Sequence, residues 1–127
     1  MIHASRLCLW RRKGACFFEA LLRTMAPSLG APFDDRGRPL HSTSLAAFEE
    51  ALALLRVLTG GTMEDLKNEL SVSFVDESAA GRTYDAYCTA VAENPTEWAQ
   101  SQAMEACARA LKVGLCVGKE FLICSVV

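Results

Sequence analysis

Two continuous apolar runs close the sequence, "VGLCV" at 113–117 and "EFLICSVV" at 120–127. Runs of this kind, rich in Val, Ile and Phe, read as two buried strands. The segments before them carry helical spacing or turn residues. Helices first and strands last predict an α+β (α/β-like) class, with about five helices packed on a small C-terminal β-sheet. An apolar strand that ends in a free carboxylate is unusual, so further strands are expected to be missing.

The first helix is predicted over 16–25. Phe18, Leu21, Leu22 and Met25 recur there at i, i+3, i+4 and i+7 and define a buried face. At about 100° per residue, Cys16 falls nearly opposite that face, beside Glu19 and Arg23. Residues 27–43, "PSLGAPFDDRGRPLHST", read as a loop that contains His41. A second helix is predicted over 44–58, with Leu45, Phe48, Leu52 and Leu55 as its stripe and Glu49, Glu50 and Arg56 off it. Gly60-Gly61 is expected to stop it. A short helix then follows, with Thr62 as N-cap and Met63, Leu66 and Leu70 as its buried side.

The stretch "SVSFVDESAAG" reads equally as a short strand or a loop. A fourth helix is predicted over 83–92, with Tyr84, Tyr87, Cys88 and Val91 on one face. "NPTEW" then announces a fifth: Asn94 suits an N-cap, Pro95 the first helical position and Glu97 a capping box. Its packed stripe is Met104, Cys107, Ala108 and Leu111. Ala99, Ala103, Ala106 and Ala110 would let it lie close to a neighbour.

At 127 residues the chain suits one domain. The net charge of −2 gives no argument for nucleic acid or an anionic membrane as partner. No apolar run approaches the ~18 residues of a membrane span. The six cysteines form no Cys-x-x-Cys pair, and with only His3 and His41 beside them no zinc site is expected, nor any other metal or cofactor. The thiols are read as reduced and the compartment as intracellular, cytoplasmic or nuclear. Arg6, Arg11, Arg12 and Lys13 precede the first acid, Glu19. Transit peptides share this bias, but the segment is short and holds little Ser. Residues 1–13 are therefore taken as a basic N-terminal tail or edge strand ahead of a domain at 14–127. "LTGGTMEDL" lacks the Gly-Lys-Ser/Thr of a phosphate loop. The neighbouring acids Asp34-Asp35, Glu49-Glu50 and Glu64-Asp65 do not face each other on a helix and read as solvated faces.

Chemistry concentrates in "KGACFFEALLRT", residues 13–24. A thiol at a helix N-terminus, near Arg and Lys, is favoured as thiolate. Gly14 permits close backbone approach, and first-turn amides at Gly14, Ala15 and Cys16 could stabilise an oxyanion. The competing reading is that Cys16 is a small buried hydrophobe.

"KGACFFEAL" resembles the nucleophile motif of the OTU (ovarian tumour) cysteine proteases, with Gly14, Cys16, Phe18, Ala20 and Leu21 matching. "TYDAYC" and then "EWAQSQAMEACARALKVGLCV" resemble the family's tyrosine helix, Trp-Gly and Ala-rich helix running into a strand. Trp98, Ala106, Ala108, Leu111, Val113, Leu115 and Val117 fall on that pattern. The resemblance implies an OTU-like fold lacking its last strands, with Cys16 as nucleophile and Trp98 as a structural residue closing the core. It also implies ubiquitin or a ubiquitin-like protein as partner, and a monomer is expected. The chain departs from the family at Lys13, where Asp is usual, at Ala99, where Gly is usual, and at Ala103, the acidic position of that helix. No histidine follows Val117. A cysteine protease needs a base. The chain is therefore expected to be a domain that is cut short or inactive as it stands. The alternative is a non-catalytic ubiquitin-binding or interaction module.

Overall fold

The computed structural model describes residues 2–6, 16–25, 42–117 and 121–126. Among them the order is β1 (Ile2–Arg6), α1 (Cys16–Met25), α2 (Ser42–Asp65), α3 (Lys67–Leu70), α4 (Tyr84–Glu93), α5 (Ser101–Leu111), β2 (Val113–Val117) and β3 (Phe121–Val126). The predicted loop lies outside the described residues up to 41, and α2 begins at Ser42.

The three strands form an antiparallel sheet ordered β1-β3-β2. β3 is central, with Ile2 opposite Ser125 and Val113 opposite Val126. Over Ile2–Arg6 the basic N-terminal segment is thus an edge strand.

The expected class, helices packed on a β-sheet in an OTU-like arrangement, is overturned. The structure is mostly helical. α2 alone has 24 residues, while the strands have 5, 5 and 6. The core is made between helices. Phe17, Phe18, Ala20 and Leu21 of α1 meet Leu55 and Met63 of α2, Leu70 of α3, Tyr84, Tyr87, Cys88 and Val91 of α4, and Ala103, Ala106 and Cys107 of α5. Among the described side chains only Val113 joins them from a strand. Short apolar runs say that a segment is buried, but not that it forms the layer on which the helices rest.

The second correction explains the first. Gly60-Gly61 does not stop a helix; α2 runs through both to Asp65. A Cβ on Gly60 would lie 2.7 Å from Ala92 Cβ and 2.9 Å from the Cys88 carbonyl oxygen. The missing side chain is what lets α2 and α4 touch, a requirement that sequence cannot separate from helix termination. Thr62 is accordingly no N-cap; its hydroxyl donates 2.8 Å back to the Leu58 carbonyl within the helix. Met63, Leu66 and Leu70 still pack inward as their spacing predicts.

α4 starts one residue later than predicted, with Thr83 as a true cap whose hydroxyl accepts from Ala86 N–H at 3.2 Å. The predicted start of α5 is wrong. Asn94 is instead the C-cap of α4, and its side chain accepts from Thr96 N–H at 3.0 Å in a local turn. α5 begins six residues beyond Pro95, at Ser101. Ala103 and Ala106 are its fully buried small residues.

The two adjacent glycines should respond with opposite signs. Gly60→Ala must push against a backbone carbonyl and is expected to destabilise by about 1–3 kcal/mol. At Gly61 a Cβ meets nothing within 4 Å, so Gly61→Ala should stabilise by about 0.5–1 kcal/mol through helix propensity. Urea unfolding of both variants checks this; equal effects would refute the close-approach role of Gly60.

Candidate functional site

Cys16 is the first residue of α1, where the sequence places it. Its side chain, that of His3, and the whole of Gly14, Ala15 and His41 lie outside the described residues. Glu19, expected beside Cys16 and off the apolar stripe, is itself buried. Ala20, one turn on from Cys16, is buried too, as are Phe17, Phe18 and Leu21. α1 packs against α2, β1 and β3.

Trp98 closes no core: its side chain is 62% exposed. Its carbonyl is the anchored group, accepting from Tyr87 Oη at 2.7 Å. The same hydroxyl accepts from Gln100 N–H at 2.7 Å. Tyr87 is fully buried with Phe74 stacked on its ring at 5.3 Å, and burial pushes its phenol pKa up.

Around this point lies a polar network that the sequence did not announce. Asp76 in the loop between α3 and α4 accepts from the backbone N–H and Nε of Arg82, both at 2.9 Å, and from Gln100 Nε2 at 2.9 Å. Arg82 also donates to both carboxylate oxygens of Glu97. The Arg82 guanidinium holds the Asp76 carboxyl well below the usual carboxylate range, against the opposing effect of desolvation. A groove of about 290 Å³ runs beside it, lined by Glu77, Ser78, Glu97, Trp98, Ala99 and Gln100. Its Glu97 carboxylate is already neutralised by Arg82.

Arg56, expected off the packed stripe, is only 3% exposed. It donates to the carbonyls of Val91 at 3.4 Å, Pro95 at 2.9 Å and Glu97 at 3.1 Å, with its guanidinium 4.5 Å from the Phe18 ring centroid. Burial lowers its pKa, and the charges of Glu97, Tyr87 and Glu19 oppose that shift. A cation here satisfies the carbonyl end of α4.

No family model matches the chain, and neither a curated protein nor a solved structure does.

The described thiols are structural. Cys88 and Cys107 are buried, and burial raises the Cys88 pKa, away from thiolate. Among the described residues no group of three His, Cys, Asp or Glu side chains could hold a metal ion. No described helix is long and apolar enough to cross a membrane.

A further surface feature lies on α2. Its inward side carries Phe48, Leu55, Arg56, Thr59 and Met63, all buried. On the other side Leu54 is 66%, Val57 58% and Leu58 45% exposed. The signal was present in the sequence as a second set of apolar residues at i, i+3 and i+4, hidden behind the stripe at Leu45, Phe48, Leu52 and Leu55.

Two outcomes test the polar framework. Arg56→Met should cost about 2–4 kcal/mol in urea unfolding, because three carbonyls lose a charged donor. Arg56→Lys should restore little of it, since an ammonium lacks the planar fork. A depressed folded-state pKa means that Asp76 stabilises the fold above the unfolded carboxylate value, about 3.9, and that this contribution is lost as pH falls below it. The melting temperature should therefore drop between about pH 5 and pH 2 more steeply than in Asp76→Asn; parallel pH profiles would show that Asp76 contributes nothing.

Proposed function

We propose that this chain is a non-catalytic protein-binding module whose partner class is ubiquitin or a ubiquitin-like protein. The second apolar face of α2 carries the binding half of this reading. A helix whose inner side already builds the core gains nothing in folding from leaving Leu54, Val57 and Leu58 in water, and exposed apolar patches of this kind mark contact surfaces. The partner class rests on the resemblance around Cys16. The unbridged thiol of Cys88 fits a reducing compartment, cytoplasm or nucleus.

A second reading, a thiol hydrolase acting on ubiquitin conjugates, is favoured by one observation. α1 begins at Cys16 and is held by the buried residues from Phe17 to Leu21, so the residue sits at the positive end of a packed helix. In that reading the Cys16 thiolate adds to the isopeptide carbonyl, with the amides of Gly14, Ala15 and Cys16 serving the oxyanion. The C–N bond breaks and the lysine amine leaves with a proton taken from water, and a second water hydrolyses the thioester to return the thiol and release the carboxylate.

Titration with ubiquitin, followed by chemical-shift changes, should show binding that is the same for wild type and Cys16→Ala. A ubiquitin probe bearing a C-terminal electrophile should leave the wild type unlabelled. Labelling that disappears in Cys16→Ala would replace the module with the hydrolase. Absence of any ubiquitin binding would remove ubiquitin as the partner.

A further inference from the structure

Resting on the reading of the chain as a binding module, we infer that the outer face of α2 receives a protein surface that is apolar at its centre and ringed by Lys and Arg. Leu54, Val57, Leu58 and Gly61 follow one another at i, i+3, i+4 and i+7 and are all exposed. Glu50 lies one turn before Leu54 on the same face. Glu64 and Asp65 lie one turn beyond Gly61, and Glu49 stands at the edge. All four carboxylates are exposed. Glu50 and Glu64 are about 20 Å apart along the helix, with the apolar residues between them.

The single cation of α2, Arg56, is buried on the opposite side. The first cation after the helix, Lys67, is engaged by Asp85 at 2.8 Å. Every charge that α2 presents is therefore negative. A Cβ at Gly61 would meet nothing within 4 Å, so a partner can approach the helix backbone closely there.

This charge pattern selects the occupant. A second copy would set acid against acid across a two-fold axis. Nucleic acid and an anionic bilayer are repelled. A basic rim around an apolar centre pairs with both parts of the face, the apolar part supplying affinity and the charges supplying orientation and association rate.

The direct probe is a short amphipathic helical peptide of Leu and Lys, with its Leu and Glu counterpart as control, followed by fluorescence anisotropy between about 50 and 500 mM NaCl. The Lys peptide should bind and the Glu peptide should not, and affinity should fall as salt rises. Leu54→Asp combined with Val57→Asp should weaken binding about tenfold or more. Those changes add negative charge, so a merely electrostatic attraction would strengthen instead, and that outcome overturns the inference. Glu50→Lys with Glu64→Lys should weaken the Lys peptide and admit the Glu peptide. Unchanged melting curves establish that the variants fold. Ubiquitin binding without Lys-peptide binding overturns this inference and leaves the module. Lys-peptide binding without ubiquitin binding does the reverse to the partner class. A homodimer in light scattering that Leu54→Asp dissociates would also overturn it, since a second copy would then be the occupant.

Discussion

Arg56 reaches from α2 to the carbonyls of Val91, Pro95 and Glu97, with Phe18 of α1 beneath its guanidinium. Removing a charge from water costs several kcal/mol, so the position is tenable only because three carbonyls and an aromatic face replace the lost hydration. The rest of the polar framework follows in order. Fixing the carbonyls of Pro95 and Glu97 fixes the turn after α4. That turn directs the Glu97 carboxylate to Arg82, and Arg82 holds Asp76. Asp76 in turn gathers the loop between α3 and α4 through Ser78 and Gln100. The segment is thereby ordered by charge-assisted hydrogen bonds at Asp76 in addition to the packing of Phe74 on Tyr84 and Tyr87.

Helix α2 is the other half of the frame. Its length depends on the glycine pair remaining helical, which costs propensity at two positions. The return is the close contact of Gly60 with Cys88 and Ala92, which brings α4 into reach of Arg56. Close approach and the buried cation are therefore coupled: a wider α2–α4 spacing would leave the guanidinium short of the Val91 carbonyl.

What could be read from the sequence was local. The bounds of α1 and the inward face of α4 follow from periodicity and the two C-terminal strands from continuous apolar runs, because each is decided by residues within one turn or one strand. Gly60-Gly61 was misread because its reason lies in Ala92 and Cys88, more than twenty-five residues away in sequence. Asn94 and Glu97 looked like a capping box because both side chains suit one; Thr96 and Arg82 claim them instead. Arg56 was placed off the packed stripe, since nothing nearby in sequence reveals carbonyls supplied by the turn after α4. The fold class failed for a related reason, as apolar runs show which segments are buried but not which elements supply most of the core. Of the candidate site, the position of Cys16 at a helix start was legible. The exposure of Trp98 was not, because it depends on the anchoring of its own carbonyl by Tyr87.

The same helix that organises the core leaves a second face outside it. Leu52, Leu55 and Met63 of α2 are packed with residues of α1, α4 and α5, whereas Leu54, Val57 and Leu58 contribute little to that packing. A binding surface on a helix so fixed is already in its bound shape, and it avoids the ordering cost that a mobile segment incurs on association. Under the proposed binding role, rigidity at Arg56 and Gly60 is thus the physical link between the fold and its outer face. It keeps the outer stripe and its flanking carboxylates in register along about 20 Å of helix, so that apolar contact and charge can be recognised together rather than one at the expense of the other.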